Sequence, residues 1–300
     1  MKPTLSLLPA ALALATSAFC ILPAQATPLI YEGFSGYTPG VLEGQTTTAL
    51  GLTGTYSQMD WGSATPLVAT STGLTFGSGT ATLPVTGGAV ASTGAHYDPP
   101  YAAALNTGAI TGTLWGSYLF NFGSNAYAGS AFFTSFSDGL GTKVADSKIS
   151  ISYDPPPFTG NANPYTANAV YWFDANTTYM VITEWTNLGN LDNSGTGTGT
   201  MWLLTAANYN SLIANGLTKA NLNTYKSATV STTGTAFTLD NSDSARFGIT
   251  AGASGYTRTL DEIRWGTTLA DVASAVPEPG ILALVAGSMG VLALLRRRRS

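Results

Sequence analysis

The residues able to do chemistry are few, and most of them are carboxylates on strand-like segments. Glu32 lies in Leu29-Ile30-Tyr31-Glu32-Gly33-Phe34 and Asp261 in Thr259-Leu260-Asp261-Glu262-Ile263-Arg264-Trp265. Strict alternation puts Glu32 on one face with Ile30 and Phe34, and Asp261 on one face with Ile263 and Trp265. A carboxylate on an apolar strand face is costly unless it is paired, hydrogen-bonded or bound to a cation. If the first and last strands are neighbours, Glu32 and Asp261 can meet, and oxygen-only ligands in an acidic domain favour Ca²⁺. Three other outcomes satisfy the same acids: backbone hydrogen bonds, ion pairs with Arg258 or Arg264, or exposure at an edge.

Other candidates are weaker. Glu184 shares a face with Met180 and Ile182, with Trp185 opposite, and reads as an edge or solvated carboxylate. His96, the only histidine, sits in the loop-like Ala95-His96-Tyr97-Asp98-Pro99 and reads as a surface or turn residue. No Gly-x-Ser-x-Gly turn supports a serine triad, and one histidine cannot furnish a usual zinc ligand set. Asp240-Asn241-Ser242-Asp243 lacks the spacing of a helix-loop-helix calcium site and reads as a turn. Trp61, Trp115, Tyr171 and Trp172 are the aromatics proposed to stack on sugar rings. No catalytic residue is assigned, and the expectation is a non-enzyme.

The elements that must position these residues are strands. In Ser147–Tyr153, Ile149, Ile151 and Tyr153 alternate with Lys148, Ser150 and Ser152. In Thr113–Phe122, Leu114, Tyr118, Phe120 and Phe122 share one face. Further strands are expected at 29–34, 73–77, 130–136, 168–173, 178–185, 199–204, 245–250 and 257–265. Gly, Pro, Asn and Asp clusters separate them, among them Asp154-Pro155-Pro156-Pro157. Helix is scarce: Thr205 is placed to cap 206–214, 217–225 holds a turn or two, and 269–272 one turn. The Gly/Thr run Thr196–Thr200 reads as a flexible loop entering a strand. The fold class is all-β, a single antiparallel β-sandwich over 27–275.

Composition agrees with that class. Charged residues are only 9% of 300, and glycine supplies 34 positions. Residues 27–275 carry four Lys and three Arg against fifteen Asp and Glu, a formal net charge of −8. This excludes a nucleic-acid partner on electrostatic grounds and suits a protein that works among anionic polymers or divalent cations.

The two ends read as targeting segments. Residues 1–26 form a secretory signal peptide: Lys2, the apolar run Leu5–Leu22, and Ala24-Gln25-Ala26 before a cut by signal peptidase. Cys20, the only cysteine, would leave with it. At the other end, Val276-Pro277-Glu278-Pro279-Gly280 precedes the apolar stretch Ile281–Leu295 and the cluster Arg296, Arg297, Arg298 and Arg299. Those 15 apolar residues give about 22 Å of helix, short of a hydrocarbon core of about 30 Å, which suits a transient anchor.

This tripartite tail, 276–300, resembles the PEP-CTERM sorting signal of Gram-negative bacteria. The resemblance implies recognition by an exosortase-type membrane protease, a transient inner-membrane anchor, and delivery to the cell surface or exopolysaccharide matrix. Leu29–Gln45 and Thr259–Val272, with Trp115–Phe122 and Ala245–Thr250 between them, resemble strands of concanavalin A-like or laminin-G-like jelly rolls. Lectins, carbohydrate-binding modules and glycoside hydrolases share that fold, so it does not decide activity. Hydrolases of that kind carry Glu-x-Asp-x-x-Glu on one strand, and Tyr179–Trp185 has only Glu184. The expectation is a non-catalytic surface or matrix protein with extracellular polysaccharide as its candidate ligand. The alternative is a polysaccharide-active hydrolase or lyase.

Overall fold

The computed structural model describes residues 27–58, 66–83, 87–92, 101–124, 131–136, 140–145, 147–153, 167–189, 195–235, 238–250 and 257–274. The signal segment 1–26, the sorting tail 276–300, Trp61 and His96 lie outside them.

Among the described residues the strands are β1 (Ile30–Glu32), β2 (Gly40–Val41), β3 (Leu52–Gln58), β4 (Val68–Thr70), β5 (Ala89–Ser92), β6 (Tyr101–Leu105), β7 (Gly112–Asn121) and β8 (Ala131–Phe136). They continue with β9 (Gly141–Ala145), β10 (Lys148–Ser152), β11 (Ala167–Val170), β12 (Thr178–Leu188), β13 (Thr196–Leu204), β14 (Ala228–Thr235), β15 (Ser244–Thr250) and β16 (Arg258–Gly266). Three helices are α1 (Ala206–Asn215), α2 (Lys219–Tyr225) and α3 (Leu269–Ala273).

All pairings between these strands are antiparallel, and they form two sheets. The larger runs β14-β13-β12-β7-β16-β5-β4-β2, with β1 joined to β16. The smaller runs β11-β10-β9-β8-β15-β6-β3. Their facing sides share one core, in which Leu114, Tyr118, Phe120, Val181 and Trp265 of the larger sheet meet Tyr56, Phe136, Ile149, Ile151 and Phe247 of the smaller. The expected antiparallel β-sandwich is the fold observed. Alternation is the cause: β10 points Ile149 and Ile151 inward, leaving Lys148, Ser150 and Ser152 on the outer side.

A third layer covers part of the larger sheet's outer face. Trp115, Leu119, Met180, Ile182, Trp202 and Leu204 point away from the inter-sheet core and pack against Tyr209, Leu212, Leu222, Leu269 and Val272 of the helices. Because both of its faces are covered, β12 reads as a near-continuous buried run rather than a clean alternation. The first helix begins where the sequence places its cap. Thr205 accepts from the Asn208 amide in a reciprocal capping box, and Gly216, at φ +97°, ends α1. Thr268 caps α3 with the same reciprocal box, and the Thr218 side chain caps α2 by accepting from the Asn221 amide.

Two expectations about elements need correction. Residues 73–77 form no strand; Phe76 makes only an isolated bridge to Leu83. Thr196–Thr200 is not a loop but the first half of β13. Its glycines face inward, where a Cβ on Gly197 would lie 1.9 Å from the Tyr153 ring. The Tyr153 ring occupies the space that a side chain at Gly197 would fill, and Ile151 and Trp185 crowd Gly199.

Candidate functional site

The terminal strands do adjoin: Ile30 pairs with Trp265, Tyr31 with Arg264 and Glu32 with Ile263. Glu32 therefore points into the inter-sheet core beside Ile263. Asp261 does not follow. A bulge between Asp261 and Arg264, with Glu262 at φ +53°, breaks the alternation of β16. Asp261 pairs with Leu119, whose side chain lies under the helical layer, while Leu260, Ile263 and Trp265 stay in the inter-sheet core. The expected Glu32–Asp261 calcium bridge is thus corrected: the two carboxylates face opposite sides of the sheet.

Each acid has its own partners. Glu32 is 1% exposed and accepts from the Phe34 amide at 2.6 Å, the Tyr37 hydroxyl at 2.5 Å and the Tyr56 hydroxyl. Burial raises its pKa; the two tyrosine hydroxyls and the amide pull against that. Asp261 accepts from the amides of Leu74 and Glu262, both at 2.7 Å. Burial, then the neighbouring Glu262 charge, push its pKa well up. Glu262 pairs with Arg264 and accepts from the Tyr31 hydroxyl at 3.1 Å, and Arg264 donates to the Ser274 carbonyl at 2.6 Å. Of the alternatives read from sequence, backbone hydrogen bonds serve both Glu32 and Asp261; the Arg264 ion pair falls to Glu262, and the two tyrosine hydroxyls on Glu32 lie outside those alternatives. No group of three metal-ligating side chains occurs among the described residues.

Glu184 is neither solvated nor at an edge. It lies on β12 between Trp115 of β7 and Thr200 of β13, is 7% exposed, and pairs with Lys219 of α2. Trp115 is corrected as a sugar platform. It is 7% exposed and stacks on Trp202 with centroids 5.8 Å apart and planes at 14°. The Trp202 indole donates to Asn223 at 2.8 Å. Tyr171 also turns inward, its ring 5.1 Å from Phe173 and 5.8 Å from Tyr179.

Trp172 is the aromatic that remains outside, 67% exposed, with Val170 beside it at 71%. Both belong to the edge of the smaller sheet, where Lys148 pairs with Val170. The outer face running inward from this edge has a distinctive make-up. Register aligns Ala102, Arg246, Ser135, Gly141 and Ser152 across five strands, and Gly248, Phe133, Lys143, Ser150 and Asn168 across the same number. Most positions of these rows are small, and Ser135, Gly141, Ser150 and Ser152 are buried, while Lys143, Lys148 and Arg246 are half-buried. Ser135 is 1% exposed, and its hydroxyl has no hydrogen-bond partner. A buried unpaired hydroxyl is uncommon and costs stability unless something outside the chain satisfies it. This face is the candidate binding surface. Alternation in Ser147–Tyr153 already sets Lys148 apart from the core side, but which strands adjoin it is not written in any one segment.

Among the described residues no helix is long and apolar enough to cross a membrane. No protein-family model and no curated protein matches the chain. Solved structures with a similar fold include an alginate lyase from Aplysia kurodai, at 9% identity over 67% of this chain and 87% of that one, with a TM-score of 0.40. A protein of unknown function from Shewanella oneidensis MR-1 is 13% identical over 92% of this chain and 100% of its own, also at 0.40. The Emp47p carbohydrate recognition domain is 9% identical over 76% and 93%, at 0.39. At these scores the likeness decides neither ligand nor activity.

Proposed function

We propose that this chain is an exported, non-catalytic surface or matrix protein whose β-sandwich binds polysaccharide along the outer face of the smaller sheet. The observation that carries the reading is Trp172, 67% exposed at the edge of the smaller sheet beside the exposed Val170. An exposed indole at a sheet edge offers an apolar platform of the size of a sugar ring. The engaged state of the strand carboxylates supports a binding rather than a hydrolytic role. Glu32, Asp261, Glu184 and Glu262 each hold an intramolecular partner that stabilises the fold.

Export and sorting rest on the sequence of the two ends. The signal peptide 1–26 would bring the chain through the inner membrane. Val276–Gly280, Ile281–Leu295 and Arg296–Arg299 would present it to an exosortase-type protease. The test of binding is retention of the exported protein on a panel of immobilised polysaccharides, with reducing ends measured in the same samples. Retention without new reducing ends is expected, and Trp172→Ala should weaken it about three- to tenfold. New reducing ends, or no retention on any polymer, would overturn the reading.

A further inference from the structure

The edge strand β11 keeps strict alternation past its own end. Ala167, Ala169, Tyr171 and Phe173 turn toward the inter-sheet core, and Asn168, Val170, Trp172 and Asp174 are exposed on the other side. The Tyr171 amide donates to the Ser147 carbonyl at 2.8 Å, so the segment stays bound to its neighbour beyond Val170. Alternate residues of an extended strand lie about 7 Å apart, and the four exposed side chains therefore form a straight strip about 20 Å long. Inward of the strip the outer face closes: Ser150, in register with Asn168, is 3% exposed.

The order of chemistry along the strip is regular. Val170 and Trp172 make an apolar centre, with the Asn168 amide at one end and the Asp174 carboxylate at the other. The Tyr179 hydroxyl donates to Asp174 Oδ2 at 3.2 Å and accepts from the Asp174 amide at 2.9 Å, which holds that residue in place. An ionised carboxylate has about four lone-pair sites, so this bond leaves it able to accept from a ligand hydroxyl. The other large apolar residues exposed among the described ones, Val41, Leu50 and Val68, include no ring.

Charge then separates the classes of polymer. The one cation in register with the strip is Lys148, paired with Val170, and Asp174 offsets it. Residues 27–275 as a whole are strongly acidic. A polyanion gains nothing from that local balance and is repelled by the molecule's overall field, whereas an uncharged chain meets neither effect. Shape adds to this, because a strip built on one extended segment is straight and suits a chain that is itself extended rather than coiled.

We infer that the ligand of this strip is a neutral, extended polysaccharide lying along β11, with a sugar face on Trp172 and ring hydroxyls on Asn168 and Asp174. This rests on the polysaccharide-binding reading and specifies its chemical class. The indole supplies the apolar contact, and the amide and carboxylate at the two ends fix the direction and register of the chain.

The probes are amorphous cellulose and β-1,4-mannan, which are neutral and extended, carboxymethyl cellulose, which adds charge to the same backbone, and dextran, which is neutral and flexible. The exported protein should be retained on cellulose or mannan at least about threefold more strongly than on the other two, and equally from about 0.05 to about 0.5 M salt. Asn168→Ala and Asp174→Ala should each weaken that retention about two- to fivefold, with melting curves as the check on folding. Asp174→Asn should raise retention on carboxymethyl cellulose relative to cellulose. Stronger retention on carboxymethyl cellulose, retention that falls with salt, or dextran held as well as cellulose would overturn the neutral, extended assignment. So would a protein that sediments as a dimer which Trp172→Ala separates, since a second copy would then cover the strip. Full retention by the Asn168 and Asp174 variants would overturn the placement along β11. Retention on none of the polymers would instead overturn the binding reading.

Discussion

At the scale of single residues, the buried carboxylates show how much one acid depends on its donors. Glu32 satisfies two tyrosine hydroxyls and an amide at once. Glu32→Ala leaves all three donors buried without an acceptor and should cost about 3 kcal/mol in chemical denaturation, whereas Glu32→Gln keeps an acceptor and should cost about 1 kcal/mol. The same burial has a pH consequence. Glu32 and Asp261 have raised pKa values, so the folded chain holds protons that the unfolded chain releases. The stability they contribute is fully present below the ordinary carboxyl pKa of about 4 and is lost as pH rises through the raised values. Acidifying from neutral to about pH 5 should therefore stabilise the native protein more than the Glu32→Gln, Asp261→Asn double variant. Identical pH dependence of the two melting temperatures would contradict this.

At the scale of elements, the informative strands are the ones that break simple patterns. β16 begins and ends in alternation, but Glu262 in the left-handed region re-aims Asp261, and no local signal in Leu260–Trp265 announces it. β13 looks like a loop because glycine is a poor strand former, yet Gly197 and Gly199 are the only residues that fit beneath Tyr153, Ile151 and Trp185. Gly197→Val would drive a branched side chain into the Tyr153 ring. It should destabilise by at least about 2 kcal/mol, or prevent folding, while Thr198→Val on the opposite face should change stability by less than about 1 kcal/mol. Equal effects of the two, measured by thermal unfolding, would show that the ring does not set this glycine. The helices were easier to read because their signals are local: a threonine, three residues, then a side-chain acceptor or amide.

At the scale of the whole molecule, the chain separates its charges and its tasks. The strand acids Glu32, Glu184, Asp261 and Glu262 all belong to the larger sheet, which also holds the buried Arg258 and Arg264, while Lys143, Lys148 and Arg246 belong to strands of the smaller. On the proposed function, the two ends would direct the chain's route out of the cell. Mass analysis of the exported protein should find a start at Thr27 and loss of the segment beyond about Glu278. Replacing Pro277-Glu278-Pro279 with alanines should leave the protein in the inner membrane. Full-length protein still carrying Arg296–Arg299 in an exosortase-competent cell would overturn the sorting reading.

Sequence by itself determined the fold class, the helix start at Thr205 and the split of Ile149 and Ile151 from Lys148 and Ser150, because periodicity and capping are local properties of the chain. It also carried the adjacency of the first and last strands as an expectation. Only the tertiary structure decided that Asp261 and Glu32 face opposite sides, since a bulge shifts side-chain direction without changing composition. It alone stacked Trp115 on Trp202 and left Trp172 outside, because exposure of an aromatic depends on which element covers its strand. And it alone brought Arg246, Lys143 and Lys148, which lie up to 103 positions apart in the chain, into one sheet, because register between strands distant in sequence is set by the packing of the whole sheet.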